Sequence, residues 1–262
     1  MNTIATTIRF TGAVLLASAF ALPAQAATMH GTQLTTVETR VDLGGNVQHC
    51  EPSTSGNCTN TSQVYGGNAF GTFVAINDGS VQTSWPLYGP TGLNSATAAT
   101  NATGYVRWTA SGSQTSGTGT AVDPFVITTK VDAGSTGLHL TQVDRLVKSE
   151  ELYTTELTLT NNSAAPIDLI LYRAMDCYLG GNDSGYGMMS GATVGCVKRA
   201  DASGVNSATN PISRVEQFID LTGGAKKGLA RFSTIWQSIG KREEYNDTCT
   251  VHSTTPPSSC TM

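Results

Sequence analysis

A chain of 262 residues with 13% charged side chains and a net charge of −4 has no basic face with which to grip phosphates, which excludes a nucleic-acid binder. The charged fraction is about half the usual ~25%, and this also excludes a coiled coil and a charge-driven disordered chain. Thr, Ser, Gly, Asn and Ala fill the space instead, the composition of many short strands joined by polar turns.

In chain order, residues 1–26 read as an export signal. Arg9 supplies the positive start, Gly12 to Leu22 the apolar stretch, and Ala24-Gln25-Ala26 the small-x-small cleavage site before Ala27. That apolar stretch is shorter than the ~20 residues a bilayer span requires, and no later segment offers one. The mature chain is therefore expected outside the cytoplasm: secreted, periplasmic or on the cell surface. It reads as one β-sandwich domain over 27–262, or as two packed halves, 27–123 and 124–262. An even set of six cysteines, Cys50, Cys58, Cys177, Cys196, Cys249 and Cys260, fits an oxidising compartment and predicts disulfides. Fifteen pairings exist in principle. Neighbours in sequence suggest 50–58, 177–196 and 249–260, each closing a short polar loop. Zinc is disfavoured, because no CxxC occurs and His30, His49, His139 and His252 show no ligand spacing.

Alternation of apolar and polar residues predicts strands near Thr35–Leu43, Ala69–Ile76, Val81–Leu87, Tyr105–Ala110, Phe125–Val131, Leu138–Leu146, Tyr153–Thr160, Ile167–Ala174, Arg214–Leu221 and Gly228–Phe232. The stretches Thr91–Thr103 and Ser111–Thr120 read as long loops. Residues 152–160, the turn Asn161–Pro166 and Ile167–Tyr172 read as an antiparallel hairpin, with Pro166 at a strand start where its missing N–H does no harm. Helix is confined to one short segment, 233–239, ended by Gly240. The fold class that follows is all-β: a large antiparallel two-sheet β-sandwich with long loops.

The segment Gly134 to Cys249 carries further motifs: Thr136-Gly-Leu-His-Leu-Thr-Gln-Val-Asp144, Leu171-Tyr-Arg-Ala-Met-Asp-Cys-Tyr-Leu179, Gly181-Asn-Asp-Ser-Gly-Tyr-Gly187, Arg214-Val-Glu-Gln217 and Ile235-Trp-Gln-Ser-Ile-Gly240. On these it resembles a domain family of bacterial secreted or surface proteins that carries an LYRA-x-DCYL…GYG pattern. The resemblance implies an extracellular β-sandwich and brings no reaction with it. Members continue with another strand after the cysteine, whereas this chain ends at Met262; the expected sandwich is incomplete there or closed differently.

The densest polar, Gly-rich stretch is Asp176 to Gly187. Asp176, Asn182, Asp183 and Ser184 carry oxygen donors of the kind Ca2+ gathers, although their spacing is not that of an EF-hand. The competing reading is a turn whose Asp and Asn cap backbone N–H groups. Asn182-Asp-Ser-Gly185 superficially resembles the nucleophile loop of chymotrypsin-like proteases, but no histidine has a supporting motif and Tyr186 replaces the usual second glycine. Glu150-Glu151 and Glu243-Glu244 are adjacent pairs, and neighbours on a strand point to opposite faces, which disfavours a paired-carboxylate glycosidase. Trp85, Trp108 and Trp236 read as core. Tyr178 and Tyr186 flank the glycines and read either as hairpin packing or, with Asn182, as a ligand face suited to stacking on sugar rings. The function expected is a secreted, disulfide-stapled binding or surface-structural module without catalysis, whose partner is an extracellular glycan or a cell-surface assembly. No cofactor is demanded, Ca2+ being the one candidate. The alternative is a secreted hydrolase of glycan or peptide with its site at the Cys177–Cys196 loop.

Overall fold

A computed structural model describes residues 27–31, 35–52, 55, 57–181, 183, 185–199 and 210–249. The signal and cleavage site expected over 1–26 lie outside the described residues. Strands β1 (Ala27–His30), β2 (Thr35–Thr39), β3 (Gly45–Pro52) and β4 (Cys58–Ser62) form an antiparallel sheet in chain order. They are followed by β5 (Phe70–Ile76), β6 (Leu87–Gly89), the single turn of helix α1 (Thr97–Thr100) and β7 (Tyr105–Arg107). Next come β8 (Thr109–Ser116), β9 (Phe125–Asp132), β10 (Leu138–Leu146) and β11 (Tyr153–Asn161), again an antiparallel sheet in chain order. Strand β12 (Leu169–Met175) returns to β5, giving a sheet ordered β12-β5-β6-β7 in which only the β6–β7 pair is parallel. Strands β13 (Tyr186–Ser190), β14 (Thr193–Arg199) and β15 (Ile212–Ile219) make a third antiparallel meander. The chain continues through β16 (Gly228–Leu229), helix α2 (Phe232–Gly240) and β17 (Thr248–Cys249). The molecule is all-β and sandwich-like, as the composition implies, and among the described residues its ladders divide into five sheets.

Strand β5 organises the core. Every residue of Phe70–Ile76 is buried, because both faces of its sheet are covered. Val74 and Ile76 point to the β8–β11 sheet and pack with Val131, Leu138 and Leu140, with Trp108 and Tyr88 alongside. Phe73 and Ala75 point the other way, against Trp236 and Ile239 of α2 and Ala96 and Ala99 at α1. A third cluster, Met29, Val37, Ile127 and Leu146, seats β1 and β2 on β9 and β10. Helix α2 extends the predicted 233–239 by one residue at each end. Its terminal Gly240 is required by proximity: a Cβ there would lie 2.5 Å from the Ala98 carbonyl oxygen.

A polar seam crosses this core. Arg173 of β12 donates to Thr72 Oγ1 (3.0 Å) and Gln142 Oε1 (3.2 Å) through Nη1, and to Thr155 Oγ1 (3.1 Å) through Nη2. Asp144, fully buried, accepts from Thr155 (2.6 Å), Gln142 (2.7 Å) and Thr39 (3.2 Å). Side chains from three sheets are thus satisfied together, which such a network needs in order to stabilise.

Several expectations are corrected. Tyr153–Asn161 and Leu169–Met175 do not form a hairpin: β11 pairs with β10 and β12 with β5. The apolar run LILYRAM suits a partner buried on both sides, whereas the half-exposed β11 suits an outer position. Residues 81–87 hold a 3-10 turn at Gln82–Ser84 and only the start of β6. Ser111–Ser116 is strand rather than loop, its polar side chains largely exposed on β8. The Thr91–Thr103 loop contains α1, and the glycine-rich stretch between Cys177 and Cys196 contains β13 and the turn into β14.

Cys177 and Cys196 are bonded, tying the end of β12 to β14 with Cα atoms 6.4 Å apart. Cys50 and Cys249 are also in disulfides. Their expected partners, the side chain of Cys58 and Cys260, lie outside the described residues. Among the described residues no helix is long and apolar enough to cross a membrane.

Candidate functional site: a groove walled by two tyrosines

The chain leaving β12 is zipped to the segment between β4 and β5. Tyr65 N–H donates to the Asp176 carbonyl (2.8 Å), Tyr178 N–H to the Gln63 carbonyl (2.7 Å) and Asp176 N–H to the Ala69 carbonyl (2.8 Å). Gln63 also reaches across, its Oε1 accepting from Gly180 N–H at 3.3 Å. This pairing brings the rings of Tyr65 and Tyr178 edge to face, 5.6 Å between centroids at 78°. Tyr65 is 38% exposed and opens a 3-10 turn, Tyr65–Gly67, whose Gly66 has φ 57°. A side chain at Gly66 would meet Asn94, whose amide donates to the Gly66 carbonyl at 3.1 Å.

Together Ser62, Tyr65, Gly66, Gly67, Asn94, Ser95 and Tyr178 line an open groove of about 570 Å3. Its lining combines two aromatic rings with polar side chains and the main chain of two glycines. In this lining three elements converge on one hydroxyl. Ser95, just before α1, donates to Asp176 Oδ2 (2.6 Å) and accepts from the indole N–H of the fully buried Trp236 (3.2 Å). Ser95 holds φ 61°, a conformation rare outside glycine and found where surrounding contacts over-determine the backbone. Burial pushes the Asp176 carboxyl up to about 6, the Ser95 hydrogen bond opposing that rise and the negative charge of Asp183 adding to it.

Of the residues singled out in sequence, Tyr178 and Asp176 belong to this place. Tyr186 lies on β13 opposite Val197, half-buried and outside the groove lining. Asp183 is exposed; Asn182 and Ser184 lie outside the described residues. Among the described residues no three His, Cys, Asp or Glu side chains converge to hold a metal. His30 contacts Thr36 and His139 contacts Asp132, and neither borders the groove. Glu150, Glu151, Glu243 and Glu244 are exposed. Trp108 and Trp236 are buried as expected and Trp85 is half-buried.

Tyr65, Asn94, Ser95 and Trp236 were not legible as a site, because they stand up to 171 positions apart, with nothing in their spacing to join them. The one local signal was Tyr65-Gly-Gly-Asn68, a turn signature beside an aromatic ring. No protein-family profile, curated protein or solved structure matches this chain.

Proposed function

We propose that this chain is a secreted, disulfide-stapled β-sandwich module that binds an extracellular glycan, without catalysis, in the groove that Tyr65 and Tyr178 line. The observation that carries the reading is the edge-to-face tyrosine pair lining one groove together with Gly66, Gly67, Asn94 and Ser95. Aromatic rings beside polar groups suit a sugar, which offers an apolar face and a rim of hydroxyls. The Cys177–Cys196 bond supports it by holding the segment that bears Tyr178. The export signal expected over 1–26 and the resemblance of residues 134–249 to secreted and surface domains agree with an extracellular ligand.

The test is retention of the exported chain on an array of oligosaccharides at pH 7.5, beside Tyr178→Ala and Tyr65→Ala. Each variant is expected to weaken retention by roughly tenfold, the effect of about 1–1.5 kcal/mol of lost ring contact. Retention equal in all three proteins, or none by the parent chain, overturns the reading. So does turnover of a glycan or peptide that Ser184→Ala abolishes.

A further inference from the structure

The hydroxyl of Ser95 sits between a carboxylate that accepts its hydrogen bond and an indole that donates one to it. An alcohol oxygen has one O–H and two lone pairs. With Asp176 ionised, the Ser95 proton is committed to Oδ2 and one lone pair to Trp236. What remains for the groove is a lone pair, an acceptor. With Asp176 protonated on Oδ2, that O–H donates to Ser95 Oγ, both lone pairs are filled, and the Ser95 O–H is freed to donate to a ligand in the groove that Ser95 lines. Trp236 cannot change role, since an indole N–H only donates and its ring is fully buried.

We propose that Asp176 is a positioning residue that sets the direction of the Ser95 hydrogen bond, so that at this point the groove accepts only from a ligand hydroxyl when Asp176 is ionised and can also bind an acceptor group, such as a sugar carboxylate, when it is protonated. This rests on the reading of the groove as a glycan site. The surroundings of Asp176 suit the switch. Asp183 faces it from the following turn, Ser95 from the start of α1, and the Tyr65 N–H binds its main-chain carbonyl rather than its side chain. The carboxyl titrates near 6, where a modest acidification reverses its state. Ionised Asp176 beside Ser95 also disfavours a carboxylate in the groove, and protonation removes that opposition.

The experiment compares retention of neutral and uronic-acid oligosaccharides on the same array at pH 7.5 and pH 5.0. For the parent chain the neutral-to-carboxylated ratio is expected to fall about tenfold on acidification, the scale of one hydrogen bond gained by the carboxylated ligand. Asp176→Asn and Ser95→Ala are expected to show one ratio at both pH values. In the parent chain the midpoint of the change should coincide with the Asp176 carboxyl titration followed by carbon NMR, which needs no variant to fold. A constant ratio with retention that still depends on Tyr178 overturns this inference and leaves the glycan reading standing. A ratio change that persists in both variants, or that departs from the Asp176 titration, overturns it as well. Absence of retention at either pH overturns the glycan reading, and this inference with it.

Discussion

The Nε–H of the fully buried Arg242 donates to the Trp85 carbonyl at 2.9 Å, and its other guanidinium nitrogens reach the carbonyls of Thr103 and Gly240. One side chain therefore ties the end of α2 to the turns before β6 and β7, behind the helices that support the groove. Burial lowers the guanidinium's proton affinity, yet a guanidinium stays charged, and the carbonyl dipoles replace its lost hydration.

Replacing Arg242 with Met should therefore be costly. The main chain at 242 has φ 60°, equally awkward for Arg and Met, so the comparison isolates the lost donors. Three carbonyls without partners predict a loss of about 3 kcal/mol or more, read as a lower urea midpoint at unchanged slope. Arg242→Lys should recover only part of it, because an ammonium lacks the planar fork. A midpoint within error of the parent would refute the clamp.

The disulfide at the base of the Tyr186 hairpin should carry measurable stability. Cys177 and Cys196 are separated by 19 positions, a closure worth roughly 3 kcal/mol in the chain-entropy account. The double variant Cys177→Ser/Cys196→Ser should lose about that much in denaturant unfolding. It should also loosen Tyr178, one residue from the severed link, and so weaken glycan retention. An unchanged midpoint would show that the bond constrains nothing beyond what β13 to β15 already hold.

Glu216 predicts the pH dependence of stability. Although part of the side chain is exposed, both carboxylate oxygens are shut off from solvent without a hydrogen-bond partner. Burial pushes the group well above its usual 4.5. The native state then keeps a proton that the unfolded chain gives up, so stability falls as pH rises above about 4.5. Asp176 adds to the same trend between its usual 3.8 and about 6. Glu216→Leu should flatten the fall and raise Tm at pH 8 by about 2–4 °C, the shift that about 1 kcal/mol produces in a chain of this size. Calorimetric scans from pH 4 to 8 decide it, and a variant that tracks the parent at every pH would place the Glu216 carboxyl in contact with water.

Local pattern was enough for the all-β class, for α2 and for strands such as Leu138–Leu146, where alternation along the chain mirrors alternating burial. It was enough as well for the Cys177–Cys196 bond, whose members stand close in sequence. Pairing was another matter. A strand's period says which face is buried and not which neighbour it hydrogen-bonds, so β12 left its sequence neighbour for β5, more than ninety positions away. Strand β8 escaped notice because its outward Ser, Thr and Gln side chains leave no apolar rhythm to read. The groove depended on that long-range pairing. Tyr178 and Asp176 stood out as part of a glycine-rich turn, but only the seating of β12 on β5 carries them to Tyr65 and Ser95, and only the packing of α2 on Phe73 delivers the Trp236 indole to Ser95. Composition and periodicity act along the chain; the hydrogen bonds of the Ser95 hydroxyl are made by three segments that meet only once the core has closed.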